Sequence, residues 1–124
     1  MKTPCELVVG KILPSLRASV VKELSGKHDM KQSEIARKLG ITQASVSQYL
    51  SATRAGDGSV IERFPKILAY AEDISERIVA GESKRQWYGV ICGACKDIRE
   101  DDEFCRMHRM ATNISGCDIC KKHR

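Results

Sequence analysis

The sequence predicts a mainly α fold, a helical bundle over residues 1–82 followed by a small cysteine-rich module over 83–124. Three observations predict it. Aliphatic residues recur at three- and four-residue steps over several stretches. Ser, Thr or Asp stands three places ahead of Glu or Gln at the head of those stretches. Aromatics make up only 5% of the chain, a palette that suits aliphatic helices better than a sheet. A chain of 124 residues holds one ordinary domain, or one compact domain plus a module that something other than an apolar core must organise.

The elements follow in order. Thr3, Pro4 and Glu6 supply a cap hydroxyl, a proline in the first turn and a returning glutamate, so a helix is expected from Pro4. Leu7, Val8, Ile12, Leu16, Val20 and Leu24 continue it at near-helical spacing, with a kink or restart at Pro14, which has no amide to donate, and a left-handed stop at Gly26. Asp29 to Gln32 reads as a second capping box, opening a helix with Ile35, Ala36 and Leu39 inward and Gly40 at its end. Thr42 caps the next helix, whose Val46, Tyr49 and Leu50 face inward while Gln43, Ser45, Ser47 and Gln48 face outward. Ser51 to Ser59 reads as a loop, and Ser59 with Glu62 as a further box. After Pro65, Ile67, Ala71, Ile74 and Ile78 form a stripe that either covers the core or provides a dimer seam, and Gly81 ends the helix.

The stretch 31–51 has the steric requirements of a helix-turn-helix: a small residue where two helices touch, a glycine to turn the chain, and branched apolar residues to set the crossing. Ala36, Gly40 and Val46 meet them at separations of four and six, with Ile35, Leu39, Ile41 and Tyr49 around them. The segment QSEIARKLGITQASVSQYL, Gln32 to Leu50, resembles the helix-turn-helix of the repressor-type, XRE-like transcriptional regulators. The preceding TPCELVVGKILPSLRASVVKEL also resembles the start of small archaeal regulators in which such a domain precedes a cysteine-bearing or ligand-binding part.

That resemblance implies a double-stranded DNA operator as partner, with Thr42, Gln43, Ala44, Ser45, Ser47 and Gln48 on the groove-facing side of the second helix. A glutamine can bond adenine through both amide atoms, and an alanine can touch a thymine methyl. Gln32, Ser33, Arg37, Lys38 and Arg54 are the candidates for phosphate contacts, which position a protein without reading sequence. Set against this, the same polar residues also describe a solvated helix face. One recognition helix gives a short footprint, so a homodimer on paired half-sites is expected.

Charge agrees with a polyanionic partner. The net +5 divides into +4 over residues 1–58, −2 over 59–83 and +3 over 84–124. A basic surface attracts nucleic acid, although it also suits any soluble protein. No apolar run is long enough to span a bilayer, and the N-terminus lacks the basic-then-apolar layout of a signal peptide, so a cytoplasmic protein with no membrane partner is expected.

Five of the six cysteines fall in the last 33 residues, in the pairs Cys92/Cys95, Cys105/His108 and Cys117/Cys120, each with two residues between. In a reducing compartment such spacing points to a metal rather than to disulfides. Two readings stay open. Zinc would take Cys92, Cys95, Cys117 and Cys120 in a closed tetrahedron and leave Cys105 unexplained. An iron-sulfur cluster, more readily [4Fe-4S], would take four of the five thiolates, with His108 as a further candidate. The series also resembles the C-terminal part of the archaeal regulators, where the resemblance implies a sensory iron-sulfur cluster responding to redox, iron or sulfur status. With so little apolar material, the module is expected to need its metal in order to fold. Cys5, alone on the first helix, reads as a packing residue.

Other functions are weaker on the residues. Cys92 and Cys95 would also suit a thiol-disulfide redox protein, but no strand-helix pattern of that kind surrounds them. A helix-turn-helix turned against protein would make an adaptor, which the basic N-terminal half and the Thr-Gln-Ala-Ser edge disfavour. The chain has no Gly-rich phosphate loop, Ser/His/Asp arrangement or paired acids, so catalysis is not expected.

Overall fold

In the computed structural model, which describes residues 4–51 and 59–112, the chain is helical from Pro4 to Gly26. α1 (Pro4–Leu7) passes through a π-helical turn (Val8–Ile12) into α2 (Leu13–Gly26). The Leu13 amide donates to the Val8 carbonyl, one residue beyond the α register. This is how the helix accommodates Pro14: the widened turn relieves the ring's clash with the preceding carbonyls, and no break is needed.

The exit from α2 differs from the sequence expectation. Gly26 stays in the helix, and Asp29 takes the left-handed conformation instead, at φ 51. The His28 amide donates to the Glu23 carbonyl and the Met30 amide to that of Leu24, closing the turn ahead of Asp29 and across it. Asp29 is thereby committed to turning the chain. α3 (Gln32–Leu39) starts without the expected capping box; Lys31 is its N-cap, and no side chain caps it.

α4 (Gln43–Leu50), α5 (Ser59–Arg63) and α6 (Lys66–Val79) follow, and Gly81 turns the chain at φ 87. The 67–71–74–78 stripe is buried within this one chain, with Ile67, Ala71 and Ile74 all at 0% exposure, because α2 packs along α6. The stripe is core, which removes the dimer-seam reading of it. No strand occurs among the described residues.

α7 (Lys84–Arg99) and α8 (Asp102–Thr112) occupy the first part of the cysteine-rich stretch. A capping box of Ser83 and Gln86 opens α7: the Gln86 amide donates to Ser83 Oγ, and the Ser83 amide donates to Gln86 Oε1 at 2.7 Å. Asp101 begins α8, its carboxylate accepting from the Glu103 amide at 2.9 Å. Trp87, Ala94 and Ile98 of α7, with Phe104 and Met107 of α8, join the same buried cluster as Leu16, Val20 and Ile74. Residues 84–112 thus place apolar side chains in the common core, where the sequence reading credited the stretch with little apolar material. Trp87 and Phe104 complete a core begun elsewhere, and each large side chain so buried contributes about 1.5–3 kcal/mol.

A polar cluster ties α6 to the two later helices. Tyr70 Oη donates to Asp97 Oδ2 at 2.6 Å, and Lys66 Nζ reaches Asp97 at 3.5 Å and Asp101 at 3.1 Å. The hydrogen bond from Tyr70 holds the Asp97 carboxyl below its ordinary value of 3.8. That same bond, reinforced by burial, pushes the Tyr70 phenol from 10.0 up to about 12. Stabilisation by the neutral phenol is thus complete below pH 10.0 and is lost as pH rises towards about 12. The contribution of the charged carboxylate is present above pH 3.8 and is lost as pH falls through its depressed folded value. Tyr70→Phe is expected to cost about 1 kcal/mol, since the bond involves a charged but half-exposed partner. Urea unfolding should show that cost at neutral pH and its disappearance in strong base.

Candidate nucleic-acid interface

The two helices of the motif are set by local bonds and by one interlock. Gly40 ends α3 in the left-handed conformation at φ 70. Both its amide and that of Ile41 donate to the Ala36 carbonyl, the latter at 3.1 Å, so a glycine αL cap closes the helix. A side chain at Gly40 would be strained by that φ, and its Cβ would stand 3.0 Å from Lys84 Nζ. Thr42 Oγ1 accepts from the Ser45 amide at 3.0 Å and caps α4. Ile35 and Val46 at 0% exposure, Ala36 at 7% and Tyr49 at 5% fill the crossing, and α2 backs α4.

With those residues buried, the opposite edge of α4 is presented outward. Gln43, Ala44, Ser47 and Gln48 are exposed, as is Thr42 at the cap. Ser45 differs: it is half-buried, and its hydroxyl accepts from Thr42 Oγ1 at 2.9 Å, so it sits at the border between the packed and outward faces. Gln32, Ser33 and Arg37 are exposed on α3. Lys38 is half-buried and borders a cleft of about 250 Å³ with Asp29 and Glu34, so any phosphate there competes with two carboxylates. Arg37 and Lys38 also stand in the last turn of α3, where cations offset the helix dipole without any ligand. Arg54 lies outside the described residues.

Lys84 was not among the candidates read from sequence, yet its ammonium lies over the turn of the motif. No local signal marks it. It arrives there because α7 folds back onto the bundle.

Cys92, Cys95 and Cys105 are placed differently from the knuckles expected of them. Cys92 and Cys95 lie within α7, exposed and half-buried respectively, one turn apart on a continuous helix. Helical amides are already engaged with carbonyls, so they cannot support two sulfurs as a knuckle turn would. Burial pushes the Cys95 thiol up, helped by Cys92 and opposed by Arg99 and Arg17. Cys105 is buried on α8. His108, at 4% exposure, lies parallel to the Phe104 ring with centroids 6.5 Å apart. Among the described residues no three Cys, His, Asp or Glu side chains come together as a metal-holding group. Cys117 and Cys120 lie outside the described residues. No helix among the described residues is long and apolar enough to cross a membrane.

The capping box at Ser83 was legible as Ser-x-x-Gln, the same signature used for the earlier helices. The glycines at 89 and 93 and the C-x-x-C spacing obscured the helix behind it.

Residues 21–73 match the helix-turn-helix family model, a span that runs from the middle of α2 into α6 and contains the whole outward edge of α4. The match supports a DNA-binding regulator of the XRE-like type. No curated protein and no solved structure matches the chain.

Proposed function

We propose that the chain is a sequence-specific transcriptional regulator that inserts α4 into the major groove of a duplex operator. The observation that carries this is the division of α4, with Val46 and Tyr49 buried against the bundle while Gln43, Ala44, Ser47 and Gln48 stand exposed. Gln43 and Gln48 are the residues suited to adenine, and Ala44 is suited to a thymine methyl. Gln32, Ser33 and Arg37 take phosphates beside them. Because one such helix spans only a short half-site, the regulator acts as a homodimer on paired half-sites.

Salt dependence tests this reading. Duplex affinity is expected to fall linearly on a log-log plot against salt, with a slope of about −0.9 for each phosphate engaged. Arg37→Ala should weaken all duplexes alike and flatten that slope by about 1. Duplex affinity indifferent to salt would overturn the proposal.

The finer part of the proposal is a metal centre at the C-terminal cysteines, an iron-sulfur cluster or, as the alternative, zinc. Its support is the spacing in the sequence. Within the described residues Cys92 and Cys95 offer two thiols on one helical edge, which is half of a four-thiolate set, and no third donor joins them. The remaining ligands would be Cys117 and Cys120, while Cys105 is engaged in the core. Such a centre, when bound, would supply a redox- or metal-dependent link between α7 and the C-terminal residues. Anaerobic purification with iron, sulfide and zinc quantification separates the two identities, and protein free of all three would remove the centre.

A further inference from the structure

We infer that the cavity between the helix-turn-helix and α7 is a binding site for a small organic acid with an apolar body. Its volume is about 520 Å³. That is within the roughly 300–1,000 Å³ typical of small-molecule sites.

Three elements that are distant in sequence build it. The motif contributes Gly40, Ile41 and Tyr49, α2 contributes Arg17 and Val20, and α7 contributes Trp87, Tyr88 and Cys92. The buried members, Val20, Tyr49 and Trp87, form an apolar floor with two aromatic rings. The exposed members, Arg17, Gly40, Tyr88 and Cys92, form the rim, so the floor is reachable from solvent.

Charge selects the head group. Arg17 is the charged residue of the lining, and no Asp or Glu lines the cavity. Arg17 takes part in no salt bridge among the described residues, and neither does Lys84, whose ammonium lies 3.0 Å from where a Cβ on Gly40 would stand. A guanidinium without a carboxylate partner over an apolar floor fits a carboxylate carried on an aryl or alkyl body. A guanidinium binds a carboxylate through two parallel hydrogen bonds. A neutral amide of the same shape accepts through its one carbonyl oxygen and leaves the other arm of that fork without an acceptor.

The wall made by Ile41 and Tyr49 is the inner side of the motif whose outer side meets DNA. On the reading proposed above, occupancy of the cavity and duplex binding are therefore coupled, each changing the affinity of the other by the same factor. The site itself does not rest on that reading.

The chain's single tryptophan, Trp87, lies in the cavity and reports on it directly. The full-length protein is titrated with 4-phenylbutyrate and with its neutral amide, following tryptophan emission without DNA. The acid is expected to shift the emission saturably. The amide and Arg17→Gln are each expected to weaken binding by about tenfold, with Arg17→Lys recovering part of the loss. Arg17 is exposed, so its variants keep the fold, which circular dichroism verifies. No saturable response to the acid overturns the site, and equal affinity for acid and amide overturns its charge selectivity. A response in emission without any change in duplex affinity overturns only the coupling. Absence of duplex binding both with and without the acid would count against the DNA reading and leave the site standing.

Discussion

Phe104→Ala is expected to lower the unfolding free energy of the metal-free protein by about 3–5 kcal/mol. Phe104 is fully buried, with 0% exposure, and belongs to one cluster with core residues of α2, α6 and α7. Removing the ring leaves a cavity that helices anchored at Tyr70, Asp97 and Lys66 cannot readily close. Small domains are stable by only about 5–15 kcal/mol in total, so this loss consumes a large share of the margin. Urea unfolding followed by far-ultraviolet circular dichroism, with chelator present throughout, measures it. A module held together by metal alone would already be unfolded under those conditions, and the substitution would then change nothing. An unchanged midpoint would mean that α8 is not part of the core that α2 organises.

Gln43→Ala combined with Gln48→Ala is expected to reduce affinity for a selected operator by on the order of a hundredfold, since each paired glutamine-adenine contact is worth about 1–3 kcal/mol. Both side chains are exposed, so stability should change little. Affinity for unrelated duplexes should also persist, because phosphate contacts supply it. Fluorescence anisotropy on the selected and a scrambled duplex separates the two terms. If the double variant lost both equally, the glutamines would be positioning groups and base reading would lie elsewhere on α4.

These two results probe different levels of the molecule. The edge of α4 depends on interactions within a few residues: the Thr42 cap, the left-handed Gly40, and the burial of Val46 and Tyr49 on one side. The place of Phe104 depends on helices that are far apart in the chain. A variant can therefore lose operator reading without losing the fold, whereas loss of Phe104 acts on the whole bundle.

Amino-acid order alone determined the helix-turn-helix. A hydroxyl cap, a glycine that can turn left-handed and a three-four apolar rhythm all act over one or two helical turns, so each is visible as spacing. The stripe Ile67, Ala71, Ile74 and Ile78 was visible in the same way, but whether it met this chain or a second copy was decided only by α2 lying along it. Asp29 shows the limit of local reading: it has the chemistry of a cap, yet the bonds closing α2 spend it on the turn. Tertiary structure also decided that Trp87 and Phe104 belong to the common core, that Lys84 stands over Gly40, and that Arg17 and Cys92 border one cavity. Those juxtapositions come from α7 and α8 folding back on the bundle to bury Trp87 and Phe104. That burial energy is nondirectional and is gained against whatever apolar surface is nearest in space, so no spacing along the chain encodes it.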